Sequence, residues 1–461
     1  MPQRRLIAAC IALWPTLALG HASEQGFVLL LPTDIYIAAG GVCVALTVLL
    51  IAALPDRISR GLFHPLPLMH LPRTGLHHLG SLASAVFLGW LIWIGLTGTR
   101  DPLVNLLPLG IWTLWWVILV SLQGLLGNHW RWTNPWSGVG HLLARLTGTR
   151  APFRYPRWLG YGPAILGLLG FAGFLLADPA PADPTRLALF VGGYWYAMLL
   201  GLVLFGPRWL LRGEALTVLM RAYMQMALPG RRRGRLMIGL PGWRALATRR
   251  VPLGLAMFIL LLLGIGSFDG LNETFWWLGV LDINPLEFPG RSAVVTENLY
   301  GLVLANSALI AIFAACLWLG GRFARTEHGV VSMIRVYAPS VLPIALAYHI
   351  AHYLPSLLVE VQYLLKALSD PHQNGADYLG YAEHYVTTGF FNTPGTVRVI
   401  WLVQAGVVVG GHVLAILMAH ASALRLHGNH KQALLGHIPL AGFMVLYTCF
   451  GLWLLASPRG L

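Results

Sequence analysis

Ten predominantly apolar stretches, at about 35–54, 79–97, 105–127, 160–177, 187–205, 251–268, 299–320, 337–360, 397–421 and 437–456, alternate with short polar segments along the chain. Each is close to the roughly 20 residues that cross a ~30 Å hydrocarbon core as a helix. The pattern predicts an all-α polytopic membrane protein with about 10 transmembrane helices. Residues 1–20 differ from the rest: Arg4 and Arg5 precede an apolar run to Leu19, and small residues cluster around Ala18, Gly20 and Ala22. They read as a cleaved signal peptide, with an uncleaved first span as the alternative. Residues 21–461 then form a single transmembrane helical domain.

Composition agrees with the pattern. Apolar residues make up 57% of the 461 and charged residues 10%, and the mean hydropathy is +0.67, which excludes a soluble protein. The net charge of +14 would suggest nucleic acid on a soluble fold, but here its placement matters more. The loops 55–78, 128–158, 206–250, 321–335 and 422–436 carry 23 of the 31 Lys and Arg residues, and the intervening loops carry most of the acids. The positive-inside rule makes the first set cytoplasmic and places the mature N-terminus and the C-terminus in the periplasm of a bacterial inner membrane. The basic loops, above all Arg231-Arg232-Arg233-Gly234-Arg235, then face anionic lipid headgroups, and no nucleic-acid partner is expected. Within 206–250, Leu210 to Leu228 reads as an interfacial helix, and 270–296, with Phe275-Trp276-Trp277, as an aromatic cap on the outer surface. The four cysteines, Cys10, Cys43, Cys316 and Cys449, form no zinc or redox motif.

Ionisable residues inside spans are costly in hydrocarbon and are the candidates for chemistry. In the eighth span His349, His352, Ser356, Glu360 and Tyr363 fall within about 80° of one helix face. Two imidazoles and a carboxylate are ligand types for a divalent metal ion, whether zinc, manganese or copper, and are equally suited to proton relay. The ninth span carries Gln404, His412 and His420, with Gly410 and Gly411 allowing close helix approach. At ~1.5 Å per residue Gln404 is level with His352, and His412 lies about 12 Å deeper. Outer-face candidates are Asp269, Asp370 with His372, and Glu383 with His384. His21 would offer a copper chelate if cleavage follows Gly20.

Several strings occur together in a set order: Trp130-Arg131 with Asn134-Pro135-Trp136, Gly206 with Trp209 and Arg212-Gly213-Glu214-Ala215, and Ser267-Phe268-Asp269-Gly270-Leu271. Ala351-His352-Tyr353, Ser369-Asp370-Pro371, Val403-Gln404, Gly411-His412-Val413 and Ala419-His420 follow. In these the chain resembles the bacterial family of polytopic membrane proteins named after fenitrothion hydrolase. The resemblance implies hydrolysis of aryl phosphotriester P–O bonds by metal- or imidazole-activated water. His352, Asp269, Asp370 and Gln404 are then the catalytic candidates, and His352, His412 and His420 the metal candidates. His349 and Glu360 fall outside the shared pattern. Two other readings stay open. One is metal-ion transport along the His352, Gln404, His412, His420 series. The other is a haem b electron-transfer subunit, with His352 or His349 and His412 as axial ligands and room for a partner membrane subunit.

Overall fold

The structure, a computed structural model, describes residues 28–53, 55–70, 75–148, 151–288, 290–427 and 429–459. The expected signal peptide and His21 lie outside these residues. The ten apolar stretches form α1 (Thr33–Ala53), α2 (His77–Thr97), α3 (Leu106–Leu126), α4 (Gly162–Ala177), α5 (Pro184–Phe205), α6 (Leu253–Leu271), α7 (Val295–Phe323), α8 (Leu342–Ser369), α9 (Pro394–His427) and α10 (His430–Ala456). The chain is an all-α polytopic membrane protein. Nine helices among the described residues are long and apolar enough to cross a membrane. The exception, α4, has 16 residues, about 24 Å of helix. It still joins the same two ends of the bundle, because Tyr161 packs on Gly254 at the start of α6 and the Leu176 carbonyl accepts from Asn272 Nδ2 at its end.

One end of the bundle is acidic and the other basic. At the acidic end Arg100 pairs with Asp183 at 2.7 Å, Arg186 with Asp178 at 2.6 Å and Arg291 with Glu273 at 2.9 Å. Phe275 N–H donates to the Pro458 carbonyl, which fixes the C-terminal segment there. At the basic end β1 (Leu66–His70), β2 (Pro229–Arg232) and β3 (Arg235–Ile238) form an antiparallel sheet with β3 central. This sheet joins two basic loops that the apolar pattern leaves separate.

The loop 206–250 departs from the expected surface helix over Leu210 to Leu228. The helix breaks at Gly213 and Glu214, and Glu214 in extended geometry caps Ala215–Tyr223 by accepting from Leu216 N and Thr217 N. Seven of the nine residues of Ala215–Tyr223 are buried, so it packs into the bundle instead of lying on lipid. Tyr194 Oη donates to Glu214 at 2.5 Å. Burial pushes the Glu214 carboxyl up from the usual range despite the Thr217 and Tyr194 hydrogen bonds.

The eighth span is shifted from the expected 337–360. A 3₁₀ turn, Ala338–Val341, separates Val330–Tyr337 from α8, which runs on to Ser369. Pro339 lies within that turn and Pro343 just beyond it, and neither can donate to a continuous helix. Close contact of α8 with α9 uses the expected small residue: a Cβ on Gly411 would stand 2.5 Å from Ala347 Cβ and 2.8 Å from the Pro343 carbonyl.

Candidate functional site

Asp269 sits in the last turn of α6, inside a span, where a carboxylate is costly unless it is paired. Two side chains from α8 supply partners to the same oxygen. Tyr353 Oη donates to Asp269 Oδ2 at 2.5 Å, and His352 Nε2 stands 3.4 Å from it. The His352 and Asp269 side chains are 7% and 15% exposed. Arg459, carried back over the bundle by the C-terminal segment, approaches His352 Nδ1 at 3.4 Å. A guanidinium only donates, so Nδ1 is the acceptor and Nε2 carries the proton that points at Asp269. Tyr348 stacks on His352 with centroids 5.6 Å apart, a position open only because residue 270 is glycine: a Cβ there would lie 1.8 Å from Tyr348 Oη.

These groups border a chamber of about 20 Å³ between α3, α4, α6 and α8, lined also by Trp116, Phe171, Tyr223 and His349. A buried water needs roughly 10–15 Å³, so the chamber has room for one beside Asp269. His349 does not aim at that carboxylate: Nε2 is 2.9 Å from the Trp116 carbonyl, to which it donates. Glu360, about three helical turns beyond His349, accepts from Thr113 Oγ1 at 2.7 Å. The shared face of the eighth span therefore splits, with His349 and Glu360 bound to α3 and His352 turned toward α6.

The remaining candidates are dispersed. Asp370 follows α8, 18 residues beyond His352, about 27 Å along the helix. Its carboxylate closes its own turn by accepting from Asn374 N and Gly375 N, so it takes no part in the chamber. His372 lies against Trp90 and Trp93, and His384 against Tyr381. Gln404 Nε2 donates to the Ala351 carbonyl at 2.8 Å, the carbonyl that Pro355 leaves without a helical donor four residues on. Its amide donates to the α8 backbone, which is a different task from orienting a substrate. His412 Nδ1 is bound to the Val408 carbonyl of its own helix and the ring faces Tyr447. His420 lies among His430 and His437, each with ring centroids 6.0 Å away.

His352, His412 and His420 are spread along the bundle, and among the described residues no group of three or more His, Cys, Asp or Glu side chains could hold a metal ion. His352, His412 and His420 therefore do not share one ion, because helix geometry places Gln404, level with His352, about 12 Å from His412 and 24 Å from His420. Of the histidines expected as haem ligands, His349 and His352 border the chamber, and His412 faces Tyr447 outside it.

Sequence reasoning passed over three members of the site. Tyr353 stands next to His352 in a string already singled out, Arg459 reads as an ordinary outer charge, and Phe171 as one more apolar residue of a span. Phe171 also borders a second cavity, of about 480 Å³, between α2, α3 and α5. No family model, curated protein or solved structure matches this chain.

Proposed function

We propose that this integral membrane protein hydrolyses neutral aryl phosphotriesters, with Asp269 activating a water in the chamber. The observation that carries the reading is the convergence of His352 and Tyr353 on one carboxylate oxygen of Asp269, inside a span and beside room for a single water, with the ~480 Å³ cavity on the other side of Phe171 offering the space for the ester that the chamber itself lacks. With Nδ1 of His352 facing Arg459 and Nε2 facing Asp269, the imidazole has no nitrogen left to take a proton from water. The carboxylate is therefore the base and His352 its positioning partner. As the water oxygen bonds to phosphorus, its proton passes to Asp269. The P–O(aryl) bond breaks and the aryloxide leaves with the bonding pair, taking up the proton to leave as a phenol. The sequence resemblance described above points to the same substrate class. In this reading the basic end faces the cytoplasm and its anionic headgroups, and the acidic end with both termini faces the periplasm of a bacterial inner membrane.

The test is release of the coloured phenol from a neutral nitrophenyl phosphotriester by the protein in lipid nanodiscs. Asp269→Asn is expected to lower turnover at least ~100-fold with the fold intact, and His352→Ala to lower it about 10-fold. Equal turnover by wild type and Asp269→Asn would overturn the reading.

A second reading, passage of a proton or metal ion along the bundle, is favoured by one observation. The Nε2 atoms of His412 and His437, buried at 1% and 2% exposure, have no hydrogen-bond partner among the described residues. Proton or zinc uptake into protein-containing vesicles that is lost in His412→Ala would support it over hydrolysis.

A further inference from the structure

The ~480 Å³ cavity between α2, α3 and α5 runs along the spans, its lining residues on α2 and α5 falling within 80–91 and 187–195, and reaches the loop residues Trp130 to Trp136 at the basic end. A void of that size is within the range of small-molecule pockets. Its lining contains no charged side chain and includes nine aromatic rings. Of its five tryptophans, four have their indole N–H groups already used, Trp130 Nε1 by the Thr217 hydroxyl. Trp112 Nε1 donates to the Pro181 carbonyl at 3.1 Å, Trp136 Nε1 to the Trp195 carbonyl at 2.9 Å and Trp195 Nε1 to the Pro135 carbonyl at 3.2 Å. These bonds hold the rings in place, and the surface presented to the void is almost wholly apolar. Such walls are prepared before any ligand arrives, which lowers the ordering cost of binding. They suit flat rings, through stacked or edge contacts, better than a flexible chain.

Phe171 of α4 belongs to both the cavity and the Asp269 chamber. It is 8% exposed, with its ring 4.8 Å from that of Trp116 on the chamber side and 6.2 Å from that of Trp115 on the cavity side. One aromatic ring is thus a shared wall between an apolar void and an acid-bearing chamber.

We infer that the cavity binds a neutral, ring-bearing molecule drawn from the bilayer, and that Phe171 is the partition such a molecule passes to reach Asp269. The passage rests on the hydrolase reading above; the binding does not. The absence of charge from the lining excludes phospholipid headgroups and ions as occupants. A neutral aromatic molecule partitions into lipid and reaches the cavity from there.

The experiment uses the full-length protein in nanodiscs, benzophenone as a photo-cross-linking probe, and biphenyl or hexadecane as competitors. Label is expected on peptides from α2, α3 and α5, removed by biphenyl and not by hexadecane. Val191→Trp, which fills the cavity, is expected to reduce it at least fivefold. Phe171→Ala is expected to keep the label and extend it to α8, around His349 and Tyr353. If Val191→Trp does not fold, the Phe171→Ala pattern and the competition decide. Label spread equally over α1 and α7, or displaced as well by hexadecane, would overturn the binding site. Label confined to the cavity in Phe171→Ala would overturn the passage. Specific labelling without turnover of the nitrophenyl phosphotriester would leave the cavity standing and remove the hydrolase reading.

Discussion

Gln404 of α9 donates its side-chain amide to the carbonyl of Ala351 in α8, across 2.8 Å. Pro355 has no N–H to offer that carbonyl, and in hydrocarbon no water can replace it. A proline in one span is therefore answered by a glutamine in the next, one residue before His352. Gln404→Leu is expected to destabilise the protein by about 1–2 kcal/mol. In the Pro355→Ala background, where the backbone regains an N–H that can reach the Ala351 carbonyl, the same change should cost less than half as much. Reversible unfolding in detergent mixtures measures the cycle, and additive costs would sink the pairing.

Gly270 and Tyr348 make a tighter demand. Gly270→Ala forces Tyr348 to move, because the new Cβ would stand 1.8 Å from the phenol oxygen. An overpacking cost of about 1–3 kcal/mol is expected. The Tyr348 hydroxyl is buried with no hydrogen-bond partner among the described residues, so Tyr348→Phe should be near neutral and should relieve most of the cost in the double variant. A double variant as unstable as Gly270→Ala alone would contradict the contact.

Arg459 sets the tautomer of His352. In nitrogen-15 histidine spectra of the wild type, His352 is expected to show an unprotonated Nδ1 and a protonated Nε2. Arg459→Met should give a mixture of tautomers and a several-fold lower turnover of the phosphotriester, leaving KM little changed. A protonated Nδ1 in the wild type would exclude the arrangement.

The acidic end should carry a pH dependence of its own. The Arg186 backbone N–H holds the Asp183 carboxyl below the usual range against the opposing effect of its burial, and the Arg100 guanidinium adds a smaller pull in the same direction as Arg186. A depressed carboxyl stabilises the fold above the ordinary Asp value of about 3.9, and that contribution is lost as pH falls through the lower folded value. Thermal unfolding of wild type and Asp183→Asn should therefore differ at about pH 6, with the wild type more stable, and converge toward about pH 3. A gap that widens on acidification would contradict the sign.

The sequence by itself determined the spans, their alternation and the separation of basic from acidic ends. Apolar runs of about 20 residues have few alternatives in a bilayer, and loop charge is a property of the chain that needs no packing. It also determined that Gly411 would let two spans touch and that Asp269 and His352 stood out as ionisable groups within hydrocarbon. Which polar groups meet was decided only by the tertiary structure. Residues on one helix face, His349, His352 and Glu360, turned to different neighbours because the partners come from α3, α6 and the C-terminal segment. Helical periodicity fixes the direction of a side chain but not what stands opposite it. The sheet joining 66–70 to 229–238, the burial of Ala215–Tyr223 and the two cavities sharing Phe171 arise in the same way, from contacts between segments far apart in the chain.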